Sequence, residues 1–181
     1  KSLLDLYIGI SKQYRKRWQK MFKHSISYII NEDFVNIDSY TKEKIKKIKL
    51  NKDNENYNNF DVIKTNLTLR EIVNKKLKPI FDNLNLKIVH SWVQQYKKNN
   101  FHSVHTHFNT QKDFSFVWFI DGSKESAPII FYDIGYPLIN SGQVIKFPFK
   151  PGILLIFPGF IPHEVPINKT NNRLIISGNA I

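Results

Sequence analysis

The stretch FHSVHTHFNTQKDFSFVWFID, residues 101–121, sets the reading of the whole chain. It holds three histidines within six residues, His102, His105 and His107, directly ahead of an aromatic run with the texture of a buried strand. Side chains of an extended segment alternate between two faces, so His105 and His107 share one face and His102 is expected on the other. Two imidazoles on one face repel when protonated and lose hydration when neutral, and a bound cation offsets both costs. A lone histidine carries no such implication. His24 and His90 read as surface or hydrogen-bonded core residues.

Outward from this stretch, residues 86–181 are a succession of short apolar runs broken by Gly, Pro, Asn and Ser. KIVHSWVQQYK, DFSFVWFID, APIIFYDI, QVIKFPF, GILLIFPG and RLIISGNA read as strands, with the segment around His105 a seventh and HEVPI an eighth. Most lie too close together for intervening helices, which predicts an antiparallel sandwich or barrel. Phe114, Phe116, Trp118, Phe131 and Phe157 are expected in its core.

Residues 1–85 have a different texture and are expected to form a helical layer on a barrel of 86–181, the two making a single compact domain. Between Leu3 and Ile30 apolar residues recur at helical spacing, and QYRKRWQK gives that helix a basic face. NKDNENYNN, residues 51–59, reads as an exposed connector. Thr68 to Asn85 reads as a helix with a capping box at Thr68 and Glu71 and an apolar stripe of Ile72, Val73, Leu77, Ile80, Phe81 and Leu84; Pro79 should kink or split it.

Composition narrows the chemistry. The chain has no cysteine, which excludes disulfides, thiolate metal sites and cysteine nucleophiles and leaves His, Asp and Glu as the strong metal ligands. No apolar run approaches the ~18 residues of a membrane span, and no secretory leader is visible, although a chain that starts at Lys1 leaves room for one upstream. A cytoplasmic location, including that of a phage host, is the expectation. The net charge of +12 invites a polyanionic partner. That charge is almost all lysine, with Arg15, Arg17, Arg70 and Arg173 the only arginines, and the abundance of Lys, Asn and Ile fits A/T-rich coding as well as it fits a nucleic-acid interface.

His163 follows a strand and a Gly/Pro corner, GILLIFPGFIP, of the kind that sets a side chain at a barrel rim. Ten residues later Arg173 opens the strand LIIS, where it is expected to be at least partly buried. Buried arginine normally has an anionic partner, and with few acids nearby a ligand carboxylate is a candidate.

Five spaced blocks now stand in order: Trp92-x-Gln94-x-Tyr96; His105-x-His107; DFSFV at 113–117; Gly152 to Pro158 with His163 and Val165; and RLIISGN at 173–179. Together they resemble the Fe(II)- and 2-oxoglutarate-dependent oxygenases, in particular the small oxygenases of marine phages and bacteria. The resemblance covers residues 86–181. It implies a β-rich α+β fold, a double-stranded β-helix (jelly-roll, cupin-like), with Fe(II) held by His105, His107 and His163. It implies further that Arg173 binds the distal carboxylate of 2-oxoglutarate, and that oxidative decarboxylation to succinate is coupled to hydroxylation of a substrate C–H bond. Gln94, Tyr96 and Ser115 are the expected polar wall of the cosubstrate pocket.

The chain departs from the wider superfamily in two places. His107 stands where a carboxylate ligand is usual, and the position two residues after Arg173, often a hydroxyl, is Ile175; Ser177 lies roughly 13 Å further along the strand. Asp113 remains an alternative second ligand, with His107 then outside the metal shell. Two other functions stay open: a three-histidine cupin-type dioxygenase that uses no keto acid, and a non-catalytic jelly-roll binding module. The substrate class is equally open among small metabolites, protein side chains and nucleic acid, as is the oligomeric state.

Overall fold

The computed structural model describes residues 30–53, 58–63, 66–107, 113–132 and 144–181. In chain order the elements are β1 (Asn31–Phe34), α1 (Ser39–Lys46), β2 (Asn51–Asp53), β3 (Asn58–Ile63), α2 (Leu67–Lys76) and α3 (Lys78–Asn83). They continue with β4 (Ile88–Tyr96), β5 (Phe101–His105), β6 (Phe114–Gly122), β7 (Ile129–Tyr132), β8 (Val144–Phe147), β9 (Ile153–Pro158), β10 (His163–Val165) and β11 (Arg173–Ala180).

The strands make two antiparallel sheets, the double-stranded β-helix expected from the sequence. The larger runs β1-β9-β6-β11-β4-β3, with β2 also paired to β3, and the smaller runs β5-β10-β7-β8. β3 joins them: Asn58 and Asn59 pair with β5, while Asp61 to Ile63 pair with β4. All eight strands read from residues 86–181 are present.

The larger sheet is covered on both faces. On one, Phe116, Trp118, Ile120, Leu154, Ile156, Leu174 and Ile176 pack against Ile45, Leu69, Ile72, Val73, Leu77 and Phe81 of the helical layer. On the other, Val117, Phe119, Leu155, Phe157 and Ile175 pack against Ile129, Phe131 and Val165 of the smaller sheet. Two covered faces explain why β9 is buried at every position, a continuous apolar run where a one-sided sheet would alternate.

The N-terminal part differs from the helical layer expected of residues 1–85. Residues 31–34, 51–53 and 58–63 are strands of the sheets, so the boundary at 85 is crossed by β pairing. NKDNENYNN is likewise not a simple connector, because both of its ends are paired strand. The signal was short: Phe60 and Val62 are buried at period two, but the polar residues around them masked it. The helix expected between Leu3 and Ile30, with its basic face, lies outside the described residues. In the second helical segment the cap is Asn66, whose side chain accepts from Leu69 N–H at 3.1 Å, rather than Thr68. Asn66 has the extended backbone that an N-cap needs, while Thr68 is already inside the helix. Pro79 splits the segment and sits in the first turn of α3, where its missing N–H costs no hydrogen bond. Among the described residues no helix is long and apolar enough to cross a membrane.

Asp121 ties the helical layer to the larger sheet. Its buried carboxylate pairs with Lys42 and, at 3.0 Å, with Lys46 of α1, and accepts from Asn172 Nδ2 at 2.7 Å. Burial pushes its pKa up, but the hydrogen bonds from Lys42, Asn172 and Lys46 outweigh this and hold it below the usual carboxylate value. A depressed folded pKa contributes stability that is present above the unfolded value near 3.9 and lost as pH falls through the folded one. Asp121→Asn is therefore expected to cost about 1–3 kcal/mol at pH 7. The difference from wild type, measured by urea denaturation, should shrink as the pH is lowered below about 4.

Candidate metal centre

His105 closes β5 and His163 opens β10, and the register of this antiparallel pair sets the two directly opposite one another. His107 lies two residues beyond β5, fixed through its backbone: its N–H donates to Gly159 O at 2.8 Å. Gly159, at the corner after β9, donates its own N–H to Asp113 O, also at 2.8 Å. A Cβ there would lie 3.0 Å from the His107 carbonyl oxygen and 3.3 Å from that of Asp113, so the corner has room for glycine and little more.

The three rings converge. Their donor atoms lie within 4.8 Å of one another, and His105 Nε2 and His107 Nε2 are 3.0 Å apart. Two imidazole nitrogens bound at right angles, each about 2.1 Å from a metal ion, would stand about 3.0 Å apart. His105 Nδ1 is 2.7 Å from Ser103 O, and His163 Nδ1 is 2.9 Å from Ile161 O. A carbonyl oxygen can only accept, so each Nδ1 carries the proton and each Nε2 presents a lone pair to the centre. Burial lowers the pKa of all three rings, His107 to about 4 with His105 adding to the effect. They are neutral at pH 7, which is the state that binds metal. The donor set fits a divalent ion that accepts imidazole and leaves coordination positions open.

The same cavity has a cationic end. Arg173 is fully buried; its Nε donates to Ala127 O at 2.8 Å, while Nη1 and Nη2 have no hydrogen-bond partner among the described residues. Its guanidinium lies 4.6 Å from the Tyr96 ring, with the rings of Phe149 and Phe119 at 5.4 and 5.9 Å. Burial lowers its pKa to about 10, the Tyr96 hydroxyl opposing the shift without meeting hydrogen-bond geometry, so the group is a cation at pH 7. One charge-assisted hydrogen bond and an aromatic contact contribute roughly 2–5 kcal/mol together. Desolvating a cation costs several kcal/mol and leaves two donor groups unsatisfied. An anion entering the cavity would relieve both.

Gln94, Tyr96, Ser115 and Arg173, the residues expected at the cosubstrate, all line this cavity together with the three histidines. Gln94 Oε1 accepts from Ser177 Oγ at 2.9 Å, and Ser115 Oγ donates to Asn179 Oδ1 at 3.2 Å. The cavity volume is about 20 Å³, little more than the ~10–15 Å³ that one water requires. A larger ligand enters only as side chains move. Asp113 is not part of the converging donor set. Glu164, the acid nearest Arg173 in sequence, accepts instead from the Tyr132 hydroxyl at 2.7 Å.

Two residues of the site escaped the sequence. His102, expected on the far face of its strand, lines the cavity and stacks on His105. Val165 pairs with His102 and His163 with His105, so four residues of β5 lie opposite three of β10. This bulge reverses the strand's parity. Asn168 is fully buried: its Oδ1 accepts from Ala127 N–H at 2.9 Å, and its Nδ2 donates to Tyr96 O at 3.0 Å. It thereby clamps both backbone segments that flank the Arg173 side chain. Neither residue type nor spacing signals such a role.

No protein-family profile and no curated protein sequence matches this chain. Solved structures do. An oxidoreductase of the 2OG-Fe(II) oxygenase family from Burkholderia pseudomallei superposes with a TM-score of 0.67 at 13% identity, covering 88% of each chain. A Pseudomonas putida prolyl-4-hydroxylase gives 0.58 at 14%, over 87% of this chain and 97% of its own. The fold is that of these oxygenases. HygX from Streptomyces hygroscopicus, whose structure holds nickel and 2-oxoglutarate, gives 0.62 at 10%, over 90% of this chain and 85% of its own.

His105→Ala, His107→Ala and His163→Ala are each expected to weaken divalent-metal binding by more than the ~10–100-fold typical of losing an outer hydrogen-bond partner. Asp113→Ala should leave it within a few-fold of wild type. Anaerobic calorimetric titration with Fe(II), or with Ni(II) in air, reads both effects, and a large loss in Asp113→Ala would assign the second ligand to the carboxylate instead.

Proposed function

We propose that this chain is a non-haem Fe(II)- and 2-oxoglutarate-dependent dioxygenase that hydroxylates a substrate C–H bond. His105, His107 and His163 hold the iron, Arg173 takes the distal carboxylate of 2-oxoglutarate, and Gln94, Tyr96 and Ser115 form the polar wall between them. The observation that carries this reading is the buried Arg173, whose two NH₂ groups have no partner among the described residues, in the same cavity as a convergent three-imidazole face. Iron with 2-oxoglutarate and O₂ supplies oxidative decarboxylation to succinate and CO₂, coupled to oxidation of the substrate.

The residues of this chain account for binding and exclusion. The planar fork of Arg173 matches a carboxylate in two parallel hydrogen bonds. Burial raises the pKa of Tyr96 despite the opposing Arg173 cation, so Tyr96 remains a hydroxyl donor at pH 7. Because the three ligands are neutral, a divalent ion held by them would keep both of its charges; with the Arg173 cation the cavity would then carry three, of which a dianionic cosubstrate would offset two. Phe131 and Phe157, with ring centroids 5.7 and 4.9 Å from that of His163, shield that ligand from water.

The all-imidazole donor set, with no carboxylate among the converging groups of the described residues, favours a second reading, a three-histidine dioxygenase that binds its substrate directly at the metal without a keto acid. Arg173 separates the two. On the leading reading, 2-oxoglutarate at about 100 times its Kd stabilises the metal-loaded protein by about 2.7 kcal/mol, seen as a rise in Tm. Arg173→Met should abolish that rise, Arg173→Lys should retain part of it, and both should still bind metal. Succinate formation under air with Fe(II) and 2-oxoglutarate completes the test. Equal responses of wild type and Arg173→Met would favour the keto-acid-independent enzyme.

A further inference from the structure

β5 carries a fourth imidazole that the metal face does not use. The bulge opposite Val165 turns His102 into the cavity, where its ring stacks on that of His105 with centroids 3.6 Å apart and planes 14° from parallel. Phe60 packs against it at 4.9 Å. In this stack the His102 nitrogens are not among the atoms that converge on the centre. Its Nδ1 lies 3.5 Å from the Tyr96 hydroxyl, and the Tyr96 ring in turn lies 4.6 Å from the Arg173 guanidinium. His102 thus bridges the two ends of the cavity, touching a metal-face ring on one side and the residue beside the buried cation on the other.

A hydrophobic side chain would make the same stack without the cost of desolvating an imidazole. The contact to Tyr96 is at the outer limit of a hydrogen bond and offsets little of that cost. With its proton on Nδ1, His102 donates to the Tyr96 oxygen and leaves the Tyr96 O–H to point at a ligand. We propose that His102 is a positioning residue of the cosubstrate site, turning the Tyr96 hydroxyl toward the carboxylate that Arg173 holds and so favouring a dicarboxylic over a monocarboxylic keto acid. This rests on the 2-oxoglutarate reading above.

The test is calorimetry on the Ni(II)-loaded protein with 2-oxoglutarate and, as a monocarboxylate comparator, pyruvate. His102→Phe keeps the stacking area and removes the donor, and His102→Gln keeps a donor without the ring. Expected for His102→Phe are Ni(II) affinity within about threefold of wild type, a loss of about tenfold for 2-oxoglutarate, and no change for pyruvate, with His102→Gln recovering part of the loss. Unchanged 2-oxoglutarate affinity in His102→Phe overturns this assignment and leaves the proposed function standing, and equal losses for both keto acids likewise reduce His102 to a packing residue. Loss of Ni(II) binding would make it a support or ligand of the metal instead. If wild type itself binds no 2-oxoglutarate, both readings fall together.

Discussion

The pairing of β10 with β5 carries the functional part of this molecule. Antiparallel register sets His163 opposite His105, and the main chain also orients the rings, because each Nδ1 is held by a carbonyl two residues earlier in its own chain. A slip of one residue in that register would turn His163 away from the cavity. His107 lies outside the ladder and is brought in by a backbone hydrogen bond to Gly159. The three-imidazole face is therefore a product of main-chain geometry, built with few side-chain interactions.

The larger sheet supplies the rigidity this needs. Its covered faces make β6, β9 and β11 the most deeply buried strands, and β11 presents Arg173, Ile175 and Ser177 to the cavity from that fixed support. Arg173 then pairs in register with Tyr96 of β4, whose carbonyl is held by Asn168, which also holds Ala127, the acceptor for Arg173 Nε. The cation is located by a closed circuit of backbone contacts even though its terminal nitrogens have no partner among the described residues. Such a group is preorganised for an anion: the cost of desolvating and orienting it is met by folding rather than at binding.

Much of this was legible in the sequence wherever the signal was local. The eight strands from residue 86 onward follow from apolar runs and turn residues, and the gathering of His105, His107, His163 and Arg173 follows from ordered motifs along them. What was not legible depends on partners distant in the chain. β1 to β3 are short, largely polar strands that exist because open strand edges receive them. His102 changes face through a bulge that only the pairing with β10 creates. Asn168 acts through the backbones of residues 41 and 72 positions away, so its own neighbours say nothing of it.

Gly159 has one further consequence. Its N–H donates to Asp113 O and its C=O accepts from His107 N–H, so one corner residue fixes the backbone at both positions. A Cβ at 159 would press on the carbonyl oxygens of both, so the fit depends on the absence of a side chain. A larger residue would push the His107 backbone outward and carry its imidazole along. The corner thus acts as a spacer whose thinness sets how near His107 stands to the other two rings.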